Sequence, residues 1–249
     1  ELPEAPVRPR QPYRRNPNLQ MGYRTGSQYF QVQQPDGRWA DIYIQGMNLG
    51  PALPGRFPSQ FPQSRALYLE WLQQMAAMGC NVVRVYTVLP PGFYQAFWEY
   101  HQQPHNPPLW LVHGVWSEEP PANNYKDPAY EQEFHQEIED VINLLHGQAD
   151  LASRPGHAWG SYTDDVSPWV LAILLGREWE PYTVEGFNRL HPDLSYQGRY
   201  ISAAPTASPM EACMAGLCDY TVAFEMDRYH AQRPISFTNW PTLDPMEHA

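Results

Sequence analysis

The sequence predicts an α/β fold built on a parallel sheet, and three observations carry that prediction. Strand-sized apolar runs alternate with helix-sized amphipathic ones, in the order that parallel sheets require. The strand runs are apolar throughout, as they are when helices cover both faces of a sheet. Polar and aromatic residues then gather at the C-terminal end of every run, where α/β folds collect their chemistry.

Residues 1–22 are rich in Pro, Arg, Asn and Gln and lack periodicity, so they read as an extended arm preceding a domain over 23–249. "YFQVQQPDGRWADIYIQG" holds two strand-like runs around Pro35, Asp36 and Gly37, which predicts a hairpin. "SRALYLEWLQQMAAMG" is an amphipathic helix with Leu67, Trp71, Leu72 and Met75 on one face and a stop at Gly79. "NVVRVYTV" is a β-branched strand, and "PGFYQAFWEYHQQ" is a helix with Pro91 near its start. "PLWLVHGVW" is a strand, and "DPAYEQEFHQEIEDVINLLHGQ" is a long helix whose "EFHQEIEDVI" stretch reads as a solvated face. "WVLAILLGREWEP" is the next strand. After a long loop, the helix "SPMEACMAGLCDYTVAFEMDRYH" opens with Ser208 and Glu211 at capping-box spacing. "RPISFTNW" is the last strand. Five strands thus end near residues 48, 86, 113, 176 and 238, and short right-handed connections place them in sequential order in space.

Composition narrows the function. The chain has 249 residues, 43% hydrophobic and 17% charged, which is a globular balance. Its formal net charge of −11 argues against a nucleic-acid partner, which needs a basic footprint. No apolar run approaches the ~20 residues that span a bilayer. Aromatics reach 14%, with 9 Trp and 16 Tyr, a content that suits stacking clefts as well as cores. Three cysteines cannot all pair, and Cys213 and Cys218 are poorly spaced for one bridge. Histidine spacing gives little support for a metal, no nucleotide loop or GxSxG elbow occurs, and no cofactor is implied.

The strand ends supply the candidate residues: Asn48 and Gly50; Arg84, Tyr86 and Thr87; His113 and Trp116; Arg177, Glu178 and Trp179; Asn239, Trp240 and Asp244. Arg84 inside "VVRVY" needs a carboxylate partner if its strand is buried. "LAILLGREWEP" is the informative stretch, because an apolar run ends in Arg177, Glu178, Trp179 and Glu180. Either a helix starts there or a buried strand delivers a carboxylate into a cleft. Strand alternation groups Glu178 with Glu180 and Arg177 with Trp179, so Glu180 rivals Glu178. The plain alternatives stand beside these readings. Glu178 also fits a structural salt bridge with Arg84 or Arg177. His113 fits a buried hydrogen-bonded role as well as a ligand contact. Trp116, Trp179 and Trp240 fit the core as well as sugar-stacking platforms.

"GMNLG", "NVVRVY", "LVHGVW" and "GREWEP", in this order, resemble the (β/α)8 barrels of the clan A glycoside hydrolases, over roughly residues 38–249. Within that superfamily the likeness is to an unassigned group of bacterial glycosidase-like proteins, whose "RVYT-LPP-FY" and "FTNW-T-DP" stretches match residues 84–94 and 237–245. The resemblance implies the first five units of a TIM-type barrel, with Glu178 in the place of the acid/base glutamate. Arg177 stands where the family has an asparagine. Arg84 and His113 take the places of the family's second-strand arginine and third-strand histidine. The family's nucleophile lies on a seventh strand and is not among these residues, so the stretch alone is expected to be inactive. The expectation is a chain that continues past Ala249, or a further segment or partner subunit that completes the barrel. Implied too are an oligo- or polysaccharide substrate and an extracellular or cell-surface location. The expected function is a glycoside hydrolase or transglycosylase acting on β-linked glycans; the alternative is a non-catalytic carbohydrate-binding or assembly module.

Overall fold

The computed structural model describes residues 20–57 and 59–238. Most of the expected N-terminal arm, together with Asn239, Trp240 and Asp244, lies outside the described residues. Strands β1 (Tyr23–Thr25), β2 (Phe30–Gln33) and β3 (Trp39–Ile42) form an antiparallel sheet in the order β1-β2-β3. The predicted hairpin is therefore β2–β3, and β1 extends it. Strand β4 (Gly46–Asn48) follows at once but belongs to a different sheet.

Then come α1 (Arg65–Ala77), β5 (Val82–Val85), α2 (Pro91–Gln102), β6 (Trp110–Val115) and α3 (Pro128–Leu145). A two-stranded antiparallel ribbon, β7 (Ala149–Leu151) with β8 (Gly160–Tyr162), precedes β9 (Val170–Leu175). The chain closes with α4 (Pro181–Leu190), α5 (Pro209–Tyr229) and β10 (Ile235–Phe237). The ribbon and α4 are additions to the elements expected from the sequence. Helix starts follow local chemistry. Ser64 accepts from the Leu67 amide, Asp127 accepts from the Ala129 and Tyr130 amides, and Ser208 with Glu211 forms the predicted capping box. Proline opens α2, α3, α4 and α5, where a missing N–H costs nothing.

The main sheet is parallel, in the order β10-β9-β6-β5-β4, so spatial order follows chain order. Among the described residues this sheet is open, with β4 and β10 at its edges; it does not close into a barrel. The central strands are buried, but β4 is exposed along its length, and Tyr43, Ile44 and Met47 face solvent there.

Two packed layers position the site. On one face, Val83, Val85, Leu111, Val115, Ile173 and Leu175 join the helices in the large core. On the other, Val82 and Leu171 pack with Tyr23 and Ile42 of the antiparallel sheet, with Trp110 and Val112 beside them. That small sheet covers only the early part of the face. Arg84 follows Val82 by two residues, so it lies on the same face, further toward the C-terminal ends. The helical face of α1 buries Tyr68, Leu72 and Met75, one position displaced from the expected Leu67. The long helix α3 also departs from expectation. Its "EFHQEIEDVI" stretch is not a solvated face: Phe134, Glu137, Ile138, Val141 and Ile142 are buried, because the helix packs between the sheet and α5.

Candidate functional site

A cleft of about 590 Å³ opens at the C-terminal ends of the parallel strands. Asn48 of β4 and Arg84 of β5 lie side by side in the ladder, and the Leu49 amide donates to the Arg84 carbonyl at 2.8 Å. Both residues line the cleft, with Tyr86, Trp116, Arg177, Glu178 and Glu180. On the β10 side Thr238 closes it. The Thr238 hydroxyl donates to the Arg177 carbonyl at 2.6 Å, and its amide donates to the Leu175 carbonyl at 2.9 Å.

The turn after β9 answers the question posed by "GREWEP". The Gly176 amide donates to the Val115 carbonyl at 2.7 Å, which ends the strand, and Gly176 adopts a φ of +83°. Only glycine fits there: a β-carbon would lie 1.9 Å from Cζ2 of Trp179. The turn sends Trp179 inward and Glu178 outward. Glu180 then precedes Pro181 at the start of α4. The stretch is thus a buried strand that delivers a carboxylate, followed by a helix start. Gly114 marks a second tight approach, since a β-carbon on it would lie 2.4 Å from the Tyr86 carbonyl oxygen. The chain leaving β5 therefore presses directly on β6, and Tyr86 and Trp116 come to flank one opening.

Cations sit on rings throughout the cleft. The Arg84 guanidinium lies 4.8 Å from the centroid of Tyr86, and that of Arg177 lies 5.4 Å from Trp116. Arg177 also pairs with Glu119 at 3.3 Å, on a carboxylate that is 65% exposed. Arg84 is half-buried, and among the described residues its Nε has no hydrogen-bond partner and it makes no ion pair. Neither arginine is within ion-pair distance of Glu178, so the plain reading of Glu178 as half of a structural salt bridge does not hold among the described residues.

Two expected cleft residues belong elsewhere. His113 is fully buried beneath the cleft and does not line it. Its strand alternates, so His113 points with Leu111 and Val115 into the helix-side core. Its Nδ1 lies 2.8 Å from the Gly114 carbonyl and its Nε2 lies 2.7 Å from the Tyr94 hydroxyl. A carbonyl only accepts, which assigns the ring proton to Nδ1 and makes Nε2 the acceptor for Tyr94. The Leu89 amide donates in turn to the Tyr94 oxygen at 3.2 Å. Burial pushes the His113 imidazole down to about 4, against a lesser opposing effect of the Gly114 carbonyl. It is the structural histidine, not a ligand contact.

Trp179 is likewise a core residue, 5% exposed and edge-on to Tyr125 at 5.4 Å, so it offers no stacking face. The expected Asn239 and Trp240 lie outside the described residues. Asn48, Arg84, Tyr86, Trp116 and Glu178 are therefore the predicted residues that come together, and Glu180, the rival carboxylate, joins them. Thr238, Leu174 and Phe237 also line the cleft and carried no sequence signal beyond their place at strand ends.

No family model, curated protein or solved structure matches this chain.

The described residues contain no helix long and apolar enough to cross a membrane.

Proposed function

We propose that the cleft binds and processes a β-linked glycan as a glycoside hydrolase or transglycosylase, with Glu178 as the acid/base carboxylate. The observation that carries this reading is the shared lining of one opening. Two carboxylates, Glu178 and Glu180, face it together with Asn48, Arg84 and the rings of Tyr86 and Trp116. Rings give sugar faces an apolar surface to stack on. Asparagine and guanidinium groups give hydroxyls directional partners, and a carboxylic acid protonates a departing glycosidic oxygen. Half-buried Arg84 suits an anion or a strongly polarised hydroxyl, because its Nε is unsatisfied among the described residues. An extracellular or cell-surface setting, where such glycans occur, belongs to the same proposal, as does a further segment or subunit against an open sheet edge.

One observation favours binding without catalysis as a second reading. Glu178 is solvent-exposed, an open position that suits a hydrogen bond to a bound sugar hydroxyl.

Turnover of a panel of β-linked oligosaccharides separates the two, measured with this chain joined to the further segment or subunit that the reading requires and with the Glu178→Gln variant of the same assembly. Catalysis through Glu178 predicts a loss of about 10²–10⁴-fold in the variant, least for substrates with good leaving groups. Saturable oligosaccharide binding with no turnover selects the binding module. Neither binding nor turnover removes both.

A further inference from the structure

A second chamber of about 590 Å³ adjoins the cleft, and the two share Tyr86 and Trp116 as common walls. The chambers differ in chemistry. The first is rimmed by Asn48, Arg84, Arg177, Glu178 and Glu180. The second is lined by Leu49, Pro51, Ala52, Phe61, Leu89 and Pro155.

We infer that the ligand is amphipathic: a glycoside whose sugar occupies the charged chamber and whose apolar aglycone, an alkyl or aryl group, occupies the second. This rests on the carbohydrate reading of the first chamber and names the substrate class that the whole opening fits. A sugar ring carries several hydroxyls, each of which must find a partner when water leaves. The second chamber offers few, since Ser59, Thr87, Glu118 and His157 are scattered among carbon surfaces. A continuing glycan chain would be poorly served there. An alkyl or aryl group loses nothing by leaving water and gains by area buried. Tyr86 and Trp116 stand where sugar and aglycone would join, and aromatic rings accept both.

The chamber walls are held in place. The buried hydrogen-bonded series from Gly114 through His113 and Tyr94 ends on the Leu89 amide, and the Tyr162 hydroxyl donates to the Leu89 carbonyl at 2.9 Å. Leu89 therefore has both backbone groups anchored. On the opposite wall, Arg154 next to Pro155 is paired with buried Glu137. A pre-formed wall is what an apolar pocket needs in order to bind without first ordering itself.

Calorimetric binding of matched methyl and n-hexyl β-glycosides of glucose, galactose, mannose and xylose tests the inference. Free n-hexanol and a β-linked tetrasaccharide serve as controls. Ala52 is exposed, so Ala52→Asp adds a charge to the chamber without disturbing the core. The expected result is that, for at least one sugar, the hexyl glycoside binds at least ~10-fold more tightly than the methyl one, through its extra methylenes. Ala52→Asp should erase that advantage. Equal affinity for methyl and hexyl glycosides overturns the inference while leaving the carbohydrate reading intact. Hexanol binding as tightly as hexyl glycoside also overturns it, because the sugar would then add nothing. Failure of every glycoside and of the tetrasaccharide to bind removes the carbohydrate reading and this inference together.

Discussion

The indole of Trp179 rests against the α-carbon of Gly176, with Cζ2 standing 1.9 Å from where a β-carbon would be. This contact turns the end of β9 outward and presents Glu178 to the cleft. Gly176→Ala meets two penalties, a residue with a side chain at φ +83° and displacement of a buried tryptophan. It should cost at least ~2 kcal/mol, read as a fall in urea midpoint, and ligand binding in the cleft should weaken alongside.

Buried ionic groups tie α5 to the start of β9. Burial alone would raise the Glu225 carboxyl, but Arg233 and His146 outweigh it and bring it down to about 2. Arg233 pairs with Glu225 at 2.6 Å and donates to the carbonyls of Ser167 and Val170 at 2.9 and 2.8 Å. Glu225→Gln leaves that guanidinium buried without its counter-charge. A loss of about 3–5 kcal/mol is expected in chemical denaturation near neutral pH.

His113 gives stability a pH dependence of defined sign. In the unfolded chain its imidazole has the ordinary value of 6.5, and in the fold it lies at about 4. Between those values the unfolded chain takes up a proton that the folded chain refuses. Stability is therefore complete above about pH 6.5 and falls with acidification toward pH 4, by as much as roughly 3 kcal/mol. His101 and His135 are also lowered, chiefly by burial, and add slopes of the same sign. His113→Phe should be less stable at pH 7 and should lose stability less steeply across this window, as measured by urea midpoints at half-unit steps. Equal slopes would show that His113 is not the group that titrates.

Glu137 and Arg154 hold the loop that walls the apolar chamber. Burial raises the Glu137 carboxyl even beside Arg154, and among the described residues its Oε1 has no hydrogen-bond partner. Glu137→Gln keeps an acceptor for Arg154 while removing a buried charge, so stability should change by less than about 1 kcal/mol. Glu137→Leu removes the acceptor. Amide exchange over residues 152–157 should then accelerate, and it should stay near the wild-type rate in Glu137→Gln.

Much of this fold was legible because local and long-range signals agree. The strand ends, the capping box at Ser208 and Glu211, and the proline-led helices all follow from short stretches. What the sequence obscured came from tertiary context. The run from Trp39 to Asn48 reads as one strand, yet it splits between two sheets, because Tyr23 and Ile42 pack on one end of the parallel sheet while Met47 ladders into its edge. The helix α4 is short, with Gly186 inside it, and its pattern alone reads as loop. Within the site, alternation placed Glu178 with Glu180, as found, but it grouped Arg177 with Trp179, whereas the turn at Gly176 leaves Arg177 on the cleft and Trp179 in the core. For His113, alternation alone gave no answer, since which face of β6 meets the helices depends on the other strands. The single residue of register shift between β6 and β9 was likewise invisible in the chain.

Because the parallel strands stand in space in the order in which they are synthesised, each one leaving the ribosome finds its neighbour already present. The N-terminal sheet is the exception. The Tyr23 hydroxyl donates to the Pro168 carbonyl at 2.6 Å across 145 residues, and Gln20 bridges to Ala231 near the far end of the chain. Among the described residues those contacts close very long loops, and they are expected to form late. Nascent chains stalled before Pro168 would thus hold β4, β5 and β6 docked while the first strands wait for the surface they will cover, leaving Val82 and Trp110 open to chaperones during that interval.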